Sequence, residues 1–145
     1  MLFVKDALIC VRKTILANPF TQHLPIYFHA PLESDFPYLV LGGQKARTGF
    51  NEGCFDLKMT LFSLNNQNFV QEDLWHHIEK TLIQKNGLKV FFKGANHDAP
   101  PLEGTLFLCI DHQEERHHHP HTKQLTTLLN AFVGHIKEST QDERK

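Results

Sequence analysis

Histidine is concentrated in one segment of the chain, DHQEERHHHPH at positions 111–121. Imidazole is a common ligand for zinc, copper and nickel. Four of these histidines are the candidate metal ligands: His112, His117, His119 and His121. Specific zinc sites usually combine ligand pairs from two separate places, and neighbouring histidines in a loop cannot all face one ion. We therefore interpret residues 112–121 as a solvated His-rich loop, with a metal-binding protein or a metal-dependent enzyme as the alternative function.

Other polar residues do not form a known catalytic motif. His76 and His77 lack the HExxH spacing, in which two zinc ligands lie one helical turn apart with a glutamate between them. They are adjacent on a predicted helix, so only one of these two histidines can face the core. No serine stands in a GxSxG nucleophile elbow, and Gly42-Gly43 lacks the helix of a phosphate-binding loop. We expect a protein that is not an enzyme and uses no cofactor.

Composition limits the class of partner. The chain has 145 residues, 41% of them apolar, which suffices for one domain with a sizeable core. Its net charge of -1, with histidine neutral, gives no field to hold nucleic acid or an anionic membrane. Cys10, Cys54 and Cys109 are far apart and have apolar neighbours, which favours reduced, buried thiols in an intracellular protein. No apolar run approaches the ~20 residues that span a bilayer.

A β-hairpin over residues 36–64 is the strongest structural pattern. Pro37 restricts Phe36 to extended conformations, and the apolar run that follows predicts a strand. At Gly42-Gly43 we expect a bulge or a close backbone approach. Apolar and polar residues then alternate over 55–62, as in a strand with one buried face. We expect this hairpin to be the centre of the domain.

Helical periodicity predicts three helices. The first begins near Val4 and ends at Asn18-Pro19. The second begins at Asn68, with Gln71 in the position of a capping box, and closes at Asn86-Gly87. The third covers residues 122–137, where apolar residues share one helical face.

Two further strands and one extended piece complete the predicted fold. The strands cover residues 88–92 and 105–110. The flanking prolines place the extended piece, at 25–30, at a sheet edge or in a loop that lies on the surface. The predicted fold class is α+β, with a mainly antiparallel sheet of about four strands and two or three helices packed on one side. The domain spans residues 1–137, and residues 138–145 are expected to be disordered.

A small contact patch is expected at the end of the hairpin, formed by Lys45, Arg47 and Phe50, with an ordinary solvated loop as the alternative. The 12 phenylalanines of the chain exceed what a core of this size needs, and surplus aromatic residues tend to lie at interfaces. Four phenylalanines lie outside the strongest patterns and are expected at interfaces: Phe20, Phe28, Phe50 and Phe69.

The order of these elements resembles that of the tail terminator, or tail-completion, proteins of long-tailed phages, gene transfer agents and defective prophages. The resemblance covers residues 4–84. It rests on the amphipathic first helix, the short Ile-Tyr piece, the FPYLVLG strand, the alternating FDLKMTLFS strand and the helix that follows. Residues 93–104 and 111–137 match no part of the family pattern.

The resemblance implies a structural role. Such proteins form a six-membered ring at the head-proximal end of the tail tube, stop its polymerisation and present a surface to the head-completion (stopper) protein. DNA passes through the lumen without specific binding, which suits a nearly neutral chain. The expected partners are further copies of the chain, the tail tube protein and the head-completion protein, with no membrane. The expected location is the tail of a virion or phage-like particle, after assembly in the host cytoplasm. Another ring component of the head-tail connector is a further alternative.

Overall fold

The structure, a computed structural model, describes residues 2–45, 54–65, 68–92, 100–118 and 121–138. Within these residues the elements, in chain order, are α1 Leu2–Ala17, β1 Ile26–Tyr27, β2 Tyr38–Lys45, β3 Cys54–Leu64, α2 Asn68–Leu82, β4 Leu88–Phe92, β5 Leu102–His118 and β6 Thr122–Glu138. The strands form one mixed six-stranded sheet in the order β1-β2-β3-β6-β5-β4, curled into a half-barrel. The predicted fold class, with about four strands and two or three helices, is therefore wrong.

The predicted helix over residues 122–137 is the largest error. This segment is strand β6, which pairs antiparallel with β3 on one side and with β5 on the other. Its sequence fits both periods, because a helical face would bury Leu129 together with Phe132, whereas a strand buries Leu129 together with Val133. The structure buries Leu129 and Val133 and leaves Phe132 41% exposed. Pairing with two neighbouring strands decides between the two periods.

The predicted His-rich loop is also wrong over most of its length. Residues 111–118 belong to β5, which continues its pairing with β6 as far as His118 opposite Thr122. The strand predicted at 105–110 is thus longer at both ends. Residues 111–117 are exposed, so hydrophobic alternation gives no signal there, and the strand is held by its backbone pairing with β6. A register shift between Ile110 and His112 makes Asp111 a bulge.

The hairpin of β2 and β3 is confirmed. Its register is continuous from Tyr38 opposite Phe62 to Lys45 opposite Phe55. Gly43 therefore marks a close approach rather than a bulge, since a Cβ there would collide with Cγ1 of Val4. β1 is a short edge strand parallel to β2, which is the first of the two alternatives left open by the flanking prolines. The hairpin is not central, however, because β3 and β6 occupy the middle of the sheet.

Both described helices pack on the face of the sheet that carries the core, which we call the inner face. Helix α1 contacts both β2 and β4, strands from opposite halves of the sheet, and so lies inside the curl. The largest fully buried side chains come from α1, α2 and all the longer strands except β4: Phe55, Ile15, Leu39, Leu41, Leu57, Met59, Leu61, Ile78, Leu82, Leu106, Leu129 and Val11. Neither described helix is long and apolar enough to cross a membrane.

The contacts at the two ends of α2 differ from the predicted capping box and the predicted glycine closure. The buried Gln71 donates through Nε2 to the backbone oxygen of Leu61, 3.3 Å away, and so ties the helix to β3. At the other end, Gly87 has a φ of 74°, which favours glycine, in the turn that leads into β4. Of residues 138–145, which were predicted to be disordered, Glu138 is the last residue of β6 and the others lie outside the described part of the chain.

Candidate interaction surfaces

The outer face of the sheet, opposite the core, carries a depression of about 540 Å³ over β3, β5 and β6. Phe107 and Phe132 line it, with ring centroids 6.4 Å apart and an interplanar angle of 26°. Asp56 and Lys58 provide a charged border on β3. An apolar floor with a polar rim is the usual composition of a protein-protein contact, which makes this depression a candidate docking surface.

An aromatic cluster covers the outer face at the β1 end of the sheet. Tyr38 is at its centre and stacks on Phe62, with ring centroids 4.7 Å apart. The Tyr27 ring meets Tyr38 edge-on at 5.9 Å, and its hydroxyl lies 2.9 Å from Oγ of Ser34. Burial raises the pKa of Tyr38, and the neighbouring Tyr27 raises it further. Tyr38 is therefore uncharged at neutral pH. The cluster borders a second depression, of about 650 Å³, beside residues 31–36.

Three of the four phenylalanines singled out by sequence are exposed. Phe69, at the start of α2, is 78% exposed, Phe20 is 70% exposed, and Phe28 is also on the surface. Phe50 and Arg47 lie outside the described residues, and Lys45 is the last residue of β2, with its side chain not described. The predicted patch at the hairpin end therefore lies outside the described side chains.

Phe20 has a local partner that the sequence did not indicate. Its ring stacks on the imidazole of His77, with centroids 4.1 Å apart and planes 9° from parallel. His77 is half-buried while His76 is exposed, as expected for neighbours on one helix. Nearby, Asn18 donates through Nδ2 to Oγ1 of Thr81 at 2.7 Å and fixes the chain that follows α1 against α2. His77 thus positions an exposed aromatic ring.

The candidate metal ligands are separated. His112 and His117 are exposed on β5 and point to opposite faces, because side chains alternate along a strand. His117 lies 3.3 Å from Oδ1 of Asn65, His121 follows in the turn, and His119 is outside the described residues. In the described part of the chain, no three His, Cys, Asp or Glu side chains form a group that could hold a metal ion.

Two ion pairs organise the exposed end of β5. Arg116 makes a bidentate contact with Glu114, at 2.9 Å and 3.3 Å. This hydrogen bond and the opposite charges lower the pKa of Glu114 and raise that of Arg116. On the inner face, the Lys123 ammonium lies 3.5 Å from Glu115. Gln113 donates to Oγ1 of Thr127 at 2.9 Å. Polar pairing therefore replaces apolar packing at this end of the half-barrel.

Glu103 connects three strands at the opposite end of β5. Its carboxylate lies 3.2 Å from Lys89 on β4 and 3.4 Å from Lys137 on β6, and its side chain is only 9% exposed. Burial alone would raise the pKa of Glu103, but the two lysines outweigh it and lower the pKa. The carboxylate is therefore held ionised, and its neighbours give it a structural role.

Among the described strands, β5 has a neighbour along only part of the edge that faces away from β6. β4 pairs with β5 only as far as Leu88 opposite Leu106, whereas β5 continues to His118. Over residues 107–118, no strand in the described ranges pairs with the side of β5 that faces away from β6. Such an edge presents unpaired backbone N–H and C=O groups to a further strand. The sequence did not predict this edge, because residues 112–121 were interpreted as a loop.

No protein-family model and no curated protein matches this sequence.

Proposed function

We propose that this protein is a non-enzymatic assembly subunit, and that it forms the ring that caps the head-proximal end of a phage-like tail tube. The observation that carries the proposal is the exposure of large apolar side chains. Phe20 and Phe69 have most of their surface in water, and Leu32 is fully exposed. Each such side chain gains about 1.5–3 kcal/mol when it is fully buried, so a partner that covers several of them binds favourably.

The order of elements supports the choice of a tail ring among the possible assemblies. The resemblance over residues 4–84 requires a helix, a short strand, a hairpin and a second helix, and α1, β1, β2, β3 and α2 follow in that order. The aromatic cluster around Tyr38 is formed by residues of the FPY motif at the start of β2 and of the Ile-Tyr strand beside it. The motif thus builds an outer surface as well as a strand.

In this role the subunit stops polymerisation by covering the last ring of tube subunits, and it offers its other side to the head-completion protein. A closed ring requires a head-to-tail contact between two different surfaces of neighbouring copies. DNA passes through the lumen, and the net charge of -1 avoids strong retention of the phosphate backbone.

Co-assembly with a tail tube protein from the same genome tests the proposal. Tubes polymerised with the chain should stop elongating and carry a ring at one end in electron micrographs. The variant Phe69→Ser removes an exposed apolar ring without touching the core, and should weaken association. Glu72→Ala, an exposed position on the same helix, is the matched control and should leave association unchanged. Tubes that elongate equally with and without the chain would contradict the proposal.

Native mass spectrometry gives an independent test through subunit count and bound metal together. A metal-free hexamer, alone or on tube ends, is the expected species. A monomer that carries one stoichiometric ion would contradict the tail-ring proposal and restore the metal-dependent alternative. Neighbouring genes distinguish a terminator from another connector ring, because a major tail protein next to this gene favours the terminator.

A further inference from the structure

We propose that the depression beside residues 31–36 binds a small organic cation that carries a methylated ammonium group, with choline as the simplest probe. The depression has a volume of about 650 Å³, which is within the usual range for small-molecule sites. It lies next to the aromatic cluster around Tyr38, on the outer face of the sheet. This binding activity goes beyond the tail-ring proposal. Its test uses the isolated chain without tail tubes, so either proposal can fail while the other stands.

Three aromatic rings, Tyr27, Phe36 and Tyr38, form walls of the depression. The planes of Tyr27 and Phe36 make angles of 76° and 51° with the plane of Tyr38, so the three rings do not lie in one flat stack. Phe62 stacks on Tyr38 but does not line the depression, and therefore supports this ring from the other side. Rings inclined to each other around one space are the arrangement that binds methylated ammonium groups.

Hydrogen bonds between hydroxyl groups hold these walls in place. Oγ of Ser34 donates to the backbone oxygen of Asp35 at 3.2 Å, and therefore accepts from the Tyr27 hydroxyl, 2.9 Å away. The two bonds tie residues 34–35 to β1 and leave the Tyr27 ring as the surface that a ligand meets. This surface suits a cation without N–H groups better than a guanidinium or a primary ammonium, whose donors require hydrogen-bond acceptors.

Two carboxylates determine the charge of the ligand. Glu33 and Asp35 line the depression, are exposed, and lie on either side of Ser34. The described residues that line it include no lysine, arginine or histidine. Within the described ranges, neither carboxylate takes part in an ion pair. A cation is attracted both by the carboxylates and by the ring faces, whereas an anion is repelled by both.

Nuclear magnetic resonance of the full chain with isotope-labelled tyrosine tests the site directly, because Tyr27 and Tyr38 are the only tyrosines in the sequence. Choline should shift both ring signals and reach saturation. The uncharged analogue of choline, in which a carbon atom replaces the nitrogen, has the same shape and should bind at least about tenfold more weakly. Ethylguanidinium, a cation with N–H donors, should also bind more weakly than choline.

Two substitutions at Tyr27 separate the ring from its hydroxyl. Tyr27→Leu removes one aromatic wall but keeps an apolar side chain, and should weaken choline binding about two- to thirtyfold, measured from the Tyr38 signal. Tyr27→Phe keeps the ring and is the matched control, which should bind choline as the original chain does. Equal losses in the two variants would contradict the role of the ring face.

Neutralising both carboxylates, with Glu33→Gln and Asp35→Asn together, tests the role of charge. At low ionic strength this should weaken choline binding at least about twofold and leave binding of the uncharged analogue unchanged. The pair Glu72→Gln and Asp73→Asn removes the same charge from exposed positions on α2, and should affect neither ligand. Because these four side chains are exposed, this test remains valid even where Tyr27→Leu fails to fold.

Three results would overturn the proposal. The first is that choline causes no saturable shift of either tyrosine signal. The second is equal affinity for choline and its uncharged analogue, which would identify an apolar depression without selectivity for cations. The third is that ethylguanidinium binds as tightly as choline, which would show that the walls do not prefer a methylated ammonium group.

Discussion

The position of β6 between β3 and β5 can be tested by two truncations on that strand, Leu129→Ala and Phe132→Ala. Leu129 is fully buried on the inner face, opposite Leu57 and Ile110. Removing three buried carbons costs about 2.4 kcal/mol in transfer free energy, and the cavity that remains raises the cost to roughly 3–5 kcal/mol. Phe132 is on the outer face and 41% exposed. Its truncation loses a little over half of a buried ring, or about 1–2 kcal/mol.

Urea unfolding measures both costs, followed by the fluorescence of Trp75, the single tryptophan, which packs against the core. The expected result is a larger loss for Leu129→Ala, by about 1–4 kcal/mol, at unchanged m-value. A helix over residues 122–137 would place both side chains on one buried face and make the two losses similar. Equal losses would therefore refute the strand assignment and the sheet order built on it.

Two further predictions concern the turn before β4 and the carboxylate on β5. Gly87→Ala should lower the free energy of unfolding by about 1–3 kcal/mol, since its φ is 74° and a Cβ would lie 3.0 Å from the backbone oxygen of Leu106. Gly42→Ala, whose Cβ meets nothing within 4 Å, is the control, and equal losses in urea unfolding would contradict this reasoning. The folded-state pKa of Glu103 is lowered, so its stabilising contribution is present above the ordinary glutamate pKa of 4.5 and is lost as pH falls through the folded value. The urea midpoints of the original chain and of Glu103→Gln should therefore converge as the pH is lowered. Glu72→Gln is the control and should show no such convergence. A difference between the two midpoints that does not change with pH would count against the ion pairs.

Local patterns predicted the first half of the chain well. Pro19, Pro25 and Pro37 separate the elements, the α1 residues recur at helical spacing, and β3 alternates cleanly because only one of its faces is buried. Gly87 does adopt the left-handed φ that favours glycine, but in the turn before β4, because α2 already ends at Leu82. In each case the decisive information lies within a few residues of the element itself.

The second half could not be predicted in the same way. The apolar residues of β6 fit a helical stripe and a strand alternation equally, and only its two neighbours in the sheet choose between them. One sequence signal favoured the strand, namely the β-branched and aromatic residues Thr126, Thr127, Phe132 and Val133. The His-rich part of β5 is exposed on both faces, so its sequence does not alternate between apolar and polar residues.

Among the candidate surface features, too, those that depend on local sequence were predicted and those that depend on strand order were missed. Phe20 and Phe69 were found by their exclusion from periodic patterns, because a large apolar residue outside every core stripe has only the surface to occupy. The ion pairs of Glu103 were missed, since its partners Lys89 and Lys137 are distant in sequence and meet only through the strand order. Strand order is set by pairing across the whole sheet, and single-sequence periodicity carries no information about it.

The His-rich segment shows how this strand order changes a chemical interpretation. In a loop, His112 and His117 could turn toward one ion, which is the basis of the metal-binding alternative. In β5 they point to opposite faces of the sheet, so the side chains diverge while the backbone between them stays extended. The segment therefore presents an exposed row of charged side chains instead of converging imidazoles.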